Sequence, residues 1–383
     1  MLSSMGVGLF AASCRRAILR PPTVRAMSTY VESIKVTSKD DSRPFMAVFP
    51  DLVRELTVEG AEKDIPLVPK HLMKCIQYTV PTGKRNRGLA LATSYQILKP
   101  NDKDQELAYI LGWCVEFLQA FFLVADDIMD GSETRRGKTT WYKHENVGLA
   151  AFNDSILLET CLYTILENHF KDKPYYHDLV QEFRTVTRYT AMGQSLDLLT
   201  SLEKTPEGKK NLDAFDMSRY SSIVRMKTSY YSFYLPVVLA MKMARIDNPE
   251  LCRQAKTILL EMGHFFQVQD DYLDVFGDPK VTGKVGTDIV DGKCSWLIVV
   301  ALQRANPAQR QALKECYGVD DDSSVEKVKA IYNDLKLPKI YKTFEESSFE
   351  DIQTHINQLP GGGQMLPPLV FEVFLKKLYK RHV

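Results

Sequence analysis

From about Phe45 onward, apolar residues recur at the three- and four-residue spacing of helices, and the β-branched alternation that strands require is scarce. The pattern predicts an all-α chain. Two segments, 107–130 and 255–276, are apolar on nearly every face, which marks helices enclosed by others. Further helices are expected over 155–170, 173–199, 213–234 and 295–305. Gly, Pro and charged residues concentrate at 131–138, 201–211, 277–292, 317–324 and 360–368, and these are expected as connections. None resembles a long interdomain linker, and no fixed-period repeat or low-complexity tract occurs. One helical domain over 31–383 is the economical assignment.

Composition narrows the function classes. Lys+Arg 49 against Asp+Glu 48 leaves no broad basic field of the kind nucleic acid needs, so any anion site is local. The seven cysteines lie mostly inside apolar runs without CxxC or Cys/His spacing, and read as reduced thiols. The stretch 107–125 is interrupted by Glu116 and Gln119, so a buried helix is expected there and no membrane span. The first thirty residues differ. Arg15, Arg16, Arg20 and Arg25 alternate with apolar and small residues, and no acid precedes Glu32. That composition predicts a mitochondrial transit peptide, with a disordered tail as the alternative. Met27 offers an internal start for a cytoplasmic form.

The strongest local signal closes the first apolar helix: Asp126-Asp127-Ile-Met-Asp130. Asp126 and Asp130 fall on one helical face. A second copy, Asp270-Asp271-Tyr-Leu-Asp274, closes the other apolar helix in the same way. Clustered carboxylates at the end of an apolar helix repel one another and shift upward in pKa unless cations neutralise them. Carboxylate oxygens without His or Cys favour a hard cation, Mg²⁺ before Zn²⁺. Mg²⁺ combines one or two carboxylates with ligand phosphates, so two facing DDxxD motifs suit a diphosphate held between them. One copy alone would read equally well as a solvated acidic turn.

Basic clusters supply the complement: Gly83-Lys84-Arg85-Asn86-Arg87-Gly88, Thr134-Arg135-Arg136-Gly137 and Lys227-Thr228. Arginine forks match phosphate oxygens in pairs and lysine acts as a point charge. Each cluster alone would pass for a solvated helix cap; together with the aspartates they point to a second diphosphate. Gly277 to Lys284 is not a P-loop, because five residues separate Gly277 from Gly283, Val285 stands where Ser/Thr belongs, and no strand precedes it. Lys284, Asp288 and Lys293 are instead expected to close over a site once its ligand arrives.

These motifs, with Gly193-Gln194 and Asp197, resemble trans-prenyltransferases, specifically the farnesyl diphosphate synthase family, from about residue 40 to the C-terminus. The resemblance implies the orthogonal helical bundle of isoprenoid synthases, a deep central cavity and a homodimer. It implies three Mg²⁺ ions, replaceable by Mn²⁺ or Co²⁺, on Asp126, Asp130 and Asp270, with Asp127, Asp271 and Asp274 in support. Arg135, Lys227, Thr228, Gln267, Lys284 and Lys293 would hold the allylic substrate, dimethylallyl or geranyl diphosphate. Lys84, Arg87, Gln119, Arg136, Phe266 and Arg381 would hold isopentenyl diphosphate. Thr228, Gln267 and Tyr231 would line the carbocation, with Lys227 and Lys284 completing the catalytic set. Phe121 and Phe122, one turn below Asp126, would limit product length, where two core rings are the plainer reading. The implied reaction is head-to-tail condensation to farnesyl diphosphate with release of pyrophosphate.

Two departures stand out. The C-terminus, Tyr379-Lys380-Arg381-His382-Val383, is less basic than the family pattern, and Thr82 stands where a second glycine is common. A geranyl diphosphate synthase is the neighbouring alternative. A terpene cyclase would ordinarily lack the second DDxxD and the isopentenyl site, and a silent scaffold would be free to lose the aspartates and arginines kept here.

Overall fold

The computed structural model describes residues 42–62, 65–278, 286–363 and 365–379. The expected transit segment 1–30, Lys284 and Arg381 lie outside the described residues. Helices dominate in this order: α1 Ser42–Glu62, α2 Leu67–Thr79, α3 Asn86–Leu98, α4 Gln105–Asp130, α5 Ala151–Phe170, α6 Tyr176–Leu202, α7 Met217–Ile223, a π-helical segment Val224–Tyr234, α8 Leu235–Met243 and α9 Pro249–Phe276. They continue as α10 Asp288–Asp291, α11 Trp296–Arg304, α12 Pro307–Cys316, α13 Asp322–Asp334, α14 Leu337–Asn357 and α15 Leu369–Leu378. Among the described residues, the one sheet is a hairpin pairing β1 Thr134–Arg135 with β2 Lys138–Thr139.

The largely apolar character of α4 has the expected consequence. It packs against α1, α3 and α5, and Trp113, Phe117 and Leu118 lose all contact with solvent. Trp113 stacks on Phe45 at 4.5 Å, and its indole N–H donates to the Phe45 carbonyl at 2.8 Å. By length and composition α4 could cross a membrane, yet 72% of its most apolar window is buried inside the fold. A second body of core surrounds α11, where Leu297, Ile298 and Val299 are fully buried. The aspartate-bearing end of α9 packs on α11.

Both aspartate helices have definite ends. The Asn248 side chain accepts from the backbone N–H groups of Glu250 and Leu251, and Pro249 opens α9. Gly131, at φ 68°, closes α4 in the left-handed conformation immediately after Asp130. The aspartates therefore occupy C-terminal turns, where the helix dipole already presents negative charge.

The structure departs from expectation at 213–234. In place of one helix there is α7, then π-helical turns from Val224 to Tyr234, then α8. Two glycines on neighbouring helices admit this segment. A Cβ at Gly193 of α6 would sit 2.2 Å from the Lys227 nitrogen, and one at Gly263 of α9 would sit 2.4 Å from the Ser229 Cβ. Only helices without side chains at those points can approach so closely. The expected connection at 277–292 contains α10, and that at 131–138 contains the hairpin.

Candidate active site

The two aspartate motifs, distant in sequence, are bridged by the side chains of two adjacent residues, Lys227 and Thr228. Lys227 Nζ lies 3.5 Å from Asp126 Oδ1. The neighbouring Thr228 hydroxyl donates to Gln267 Oε1 at 2.9 Å, and Gln267 Nε2 donates to Asp271 Oδ1 at 2.9 Å. The π-helical segment thus sits between the ends of α4 and α9 and presents Lys227 and Thr228 to both.

Around the first motif, carboxylates alternate with cations. Arg135, carried on the hairpin, donates from Nη2 to Asp126 Oδ2 at 3.1 Å and from Nε to Asp127 Oδ1 at 2.8 Å. Gln194 Nε2 donates to Asp126 Oδ1 at 3.0 Å. Lys293 Nζ contacts both Asp130 oxygens at 3.1 Å. Asp197, one turn beyond Gln194, is buried and joins the two lysines, at 2.7 Å from Lys227 and 3.7 Å from Lys293. Burial alone would raise the Asp197 carboxyl, but Lys227 and Lys293 outweigh it and hold the group below the usual carboxylate range. Burial pushes Asp130 up, and the neighbouring charge on Asp126 adds to the effect.

The middle aspartates, expected to support the metal-holding ones, are tied into the surrounding elements. Asp127 is buried and bound by Arg135. Asp271 is buried, accepts from the Trp296 backbone N–H at 2.8 Å through Oδ2, and is raised in pKa by that burial. With first and third positions one turn apart, the second points elsewhere, and here it ties the motif to the hairpin and to α11. Asp274 Oδ2 accepts from the Asp288 backbone N–H at 3.0 Å, which fixes the start of α10 against the motif.

Two of the expected isopentenyl residues, Arg87 of α3 and Gln119 of α4, are in direct contact. Arg87 donates to Gln119, Tyr231 and Ser232. Arg136, at φ 55°, donates to the Thr82 carbonyl. Lys84 is exposed, and Phe266 lies 5.4 Å from Phe233. Phe121 and Phe122 are half-buried with ring centroids 4.8 Å apart, and Phe122 faces Tyr231 at 5.7 Å. A cleft of about 310 Å³ touches Thr82, Gly83, Asp127, Arg135 and Arg136. A larger one, about 630 Å³, lies between α7, α9 and α14 and is lined by none of the residues assigned to the chemistry.

Among the described residues, no three carboxylate, imidazole or thiolate groups converge to chelate an ion unaided. Asp126 and Asp130 nevertheless offer a purely carboxylate donor set one turn apart, which fits a hard divalent ion that completes its shell with phosphate oxygens and water. The same cations that now neutralise these carboxylates have the chemistry to grip that phosphate. Sequence reasoning passed over Ser232 and the Trp296 amide, and gave Asp197 and Gln194 no role of their own. Their contacts depend on tertiary approach and carry no local signal.

The polyprenyl synthetase family model matches residues 69–335. The farnesyl pyrophosphate synthase of Nezara viridula is 46% identical, over 94% of this chain and 87% of its own length. That of Homo sapiens is 47% identical, over 89% and 81%. Among solved structures, T. brucei farnesyl diphosphate synthase complexed with risedronate superposes with a TM-score of 0.81 at 34% identity, covering 90% of this chain and 100% of that one.

Proposed function

The chain belongs to the polyprenyl synthetase family, and from that membership we propose that it condenses isopentenyl diphosphate with dimethylallyl and then geranyl diphosphate to form farnesyl diphosphate. The observation that carries the reading is the pair Lys227 and Thr228, which sets one ammonium at Asp126 and one hydroxyl, through Gln267, at Asp271 between two acidic helix ends. The relatives at 46% and 47% identity, which are farnesyl pyrophosphate synthases, support it.

Asp126, Asp130 and Asp270 are the proposed holders of Mg²⁺, three ions per site, with Asp274 supporting. When bound, Mg²⁺ neutralises the allylic diphosphate and makes it a better leaving group. Arg135, Lys227 and Lys293 give up part of their ion pairing with the aspartates to grip the leaving oxygens. As the allylic carbon–oxygen bond breaks, the Thr228 hydroxyl, the Gln267 amide and the Tyr231 ring border the cation without supplying a strong nucleophile. Arg87, Gln119, Arg136 and Lys84 hold isopentenyl diphosphate so that its double bond attacks that carbon. The new carbon–carbon bond forms once the allylic carbon–oxygen bond has broken, and the released pyrophosphate takes the proton lost in forming the product double bond. No histidine is needed as a base.

A homodimer accords with the exposed apolar residues of α5 and α6, among them Phe152, 63% exposed, and Leu199, 66% exposed. The arginine-rich composition of 1–30 supports mitochondrial targeting. A reporter carrying those residues should enter mitochondria, and one beginning at Met27 should remain outside. The metal reading is tested by stripping the protein with a chelator. Turnover should vanish and return on titration with Mg²⁺, and full turnover in the stripped protein would refute it.

A further inference from the structure

Arg87 is gripped by three side chains from two elements, all of them uncharged. Its Nε and Nη2 both donate to Ser232 Oγ, at 3.1 and 2.7 Å. Nη2 also donates to the Tyr231 hydroxyl at 3.0 Å, and Nη1 donates to Gln119 Oε1 at 2.6 Å. The guanidinium carbon lies 4.6 Å from the centroid of the Tyr231 ring, and Ser232 is buried. A guanidinium carries five N–H groups. These contacts engage the Nε and Nη2 edge completely and leave the spare N–H on Nη1.

The choice of acceptor matters as much as the geometry. Arg135 is oriented by the carboxylates Asp126 and Asp127, which also neutralise it. Arg87 is oriented by a hydroxyl, an amide and a phenol, which fix its direction while leaving its charge for an incoming anion. The π-helical register makes this arrangement possible. Lys227 and Ser232 are five residues apart, which in an α-helix would place them about 140° apart around the axis. Hydrogen bonding from i to i+5 winds the backbone more loosely and brings such residues nearer one face. One segment therefore serves Lys227 at one anion site and Arg87 at the other.

We propose that Ser232 is a positioning residue for isopentenyl diphosphate. It holds the Nε and Nη2 edge of Arg87 and thereby aims the Nη1 edge at the diphosphate, without touching the substrate itself. The inference rests on the reading that Arg87 binds isopentenyl diphosphate, and the test separates the two. Steady-state kinetics are measured for wild type, Ser232→Ala, Ser232→Cys and Arg87→Ala, varying isopentenyl diphosphate and geranyl diphosphate in turn. Cysteine nearly matches serine in size but accepts hydrogen bonds poorly.

Both serine variants should raise KM for isopentenyl diphosphate about tenfold, equivalent to ~1.4 kcal/mol, and leave KM for geranyl diphosphate within about twofold. A Ser232→Cys enzyme with unchanged KM values would reduce the residue to packing and overturn the proposal. So would a lower KM for isopentenyl diphosphate in Ser232→Ala, which would make the clamp a competitor of the substrate. An equal rise in both KM values would overturn it as well. If Arg87→Ala leaves KM for isopentenyl diphosphate unchanged, the Arg87 assignment falls and this one with it. A shift in Arg87→Ala beside silent Ser232 variants removes the Ser232 role alone.

Discussion

A carboxylate in the last turn of a helix meets the negative end of the helix dipole, and a second or third one compounds the repulsion. Asp126, Asp130 and Asp274 persist in such turns because cations or a backbone N–H group meet them. That cost was legible in the sequence, since DDxxD twice closes an apolar run. The division of labour inside each motif was not, because it depends on what the second aspartate meets: Arg135 for Asp127, the Trp296 amide for Asp271. The distinction is measurable. Asp270→Ala should lower kcat at least a hundredfold, ~2.7 kcal/mol in barrier, with an unchanged denaturation midpoint. Asp271→Ala leaves a buried N–H without an acceptor and should cost about 1–3 kcal/mol of stability. Paired kinetics and urea unfolding check both, and equal behaviour of the two variants would erase the division.

At the scale of elements, the π-helical segment decides the site. Its sequence reads as ordinary helix from 213 to 234, because the i to i+5 register is imposed by contact with α6 and α9. The glycines that permit it, Gly193 and Gly263, lie 34 residues before and after Lys227 and Ser229 respectively, too remote for a local pattern to reveal. Gly193→Ala should push Lys227 off Asp197, reduce turnover and destabilise the fold by about 1–3 kcal/mol, the ordinary range for overpacking. Wild-type turnover and stability in that variant would contradict the close approach. Along α4, the Phe121 and Phe122 rings lie tilted against each other, and Phe122 faces Tyr231. The Phe121→Ala, Phe122→Ala double variant should release products longer than farnesyl diphosphate, at about 3–5 kcal/mol of stability per ring at most. Product chain length read by mass spectrometry decides the matter, and an unchanged product from a folded, active double variant would leave the rings as core.

Across the whole molecule, the all-α class and the two enclosed helices follow directly from apolar residues on nearly every face of 107–130 and 255–276. The later amphipathic helices were less legible. α12, for example, begins at a capping box in which Asn306 and Gln309 exchange hydrogen bonds, a signal evident only once the boundary is known. The proposed homodimer would bury the exposed apolar residues of α5 and α6. Replacing Phe152 and Leu199 together with Asp should convert a dimer into a monomer in sedimentation, and an unaltered dimer would place the interface elsewhere. The chemistry between α4 and α9 extends a prenyl chain to three isoprene units and stops. The most direct test incubates the purified full-length protein with Mg²⁺, dimethylallyl diphosphate and excess isopentenyl diphosphate, and identifies the products by mass. Farnesyl diphosphate should be the principal product, with geranyl diphosphate as a transient. Accumulation of geranyl diphosphate alone, release of a cyclised hydrocarbon, or no condensation at all would contradict it.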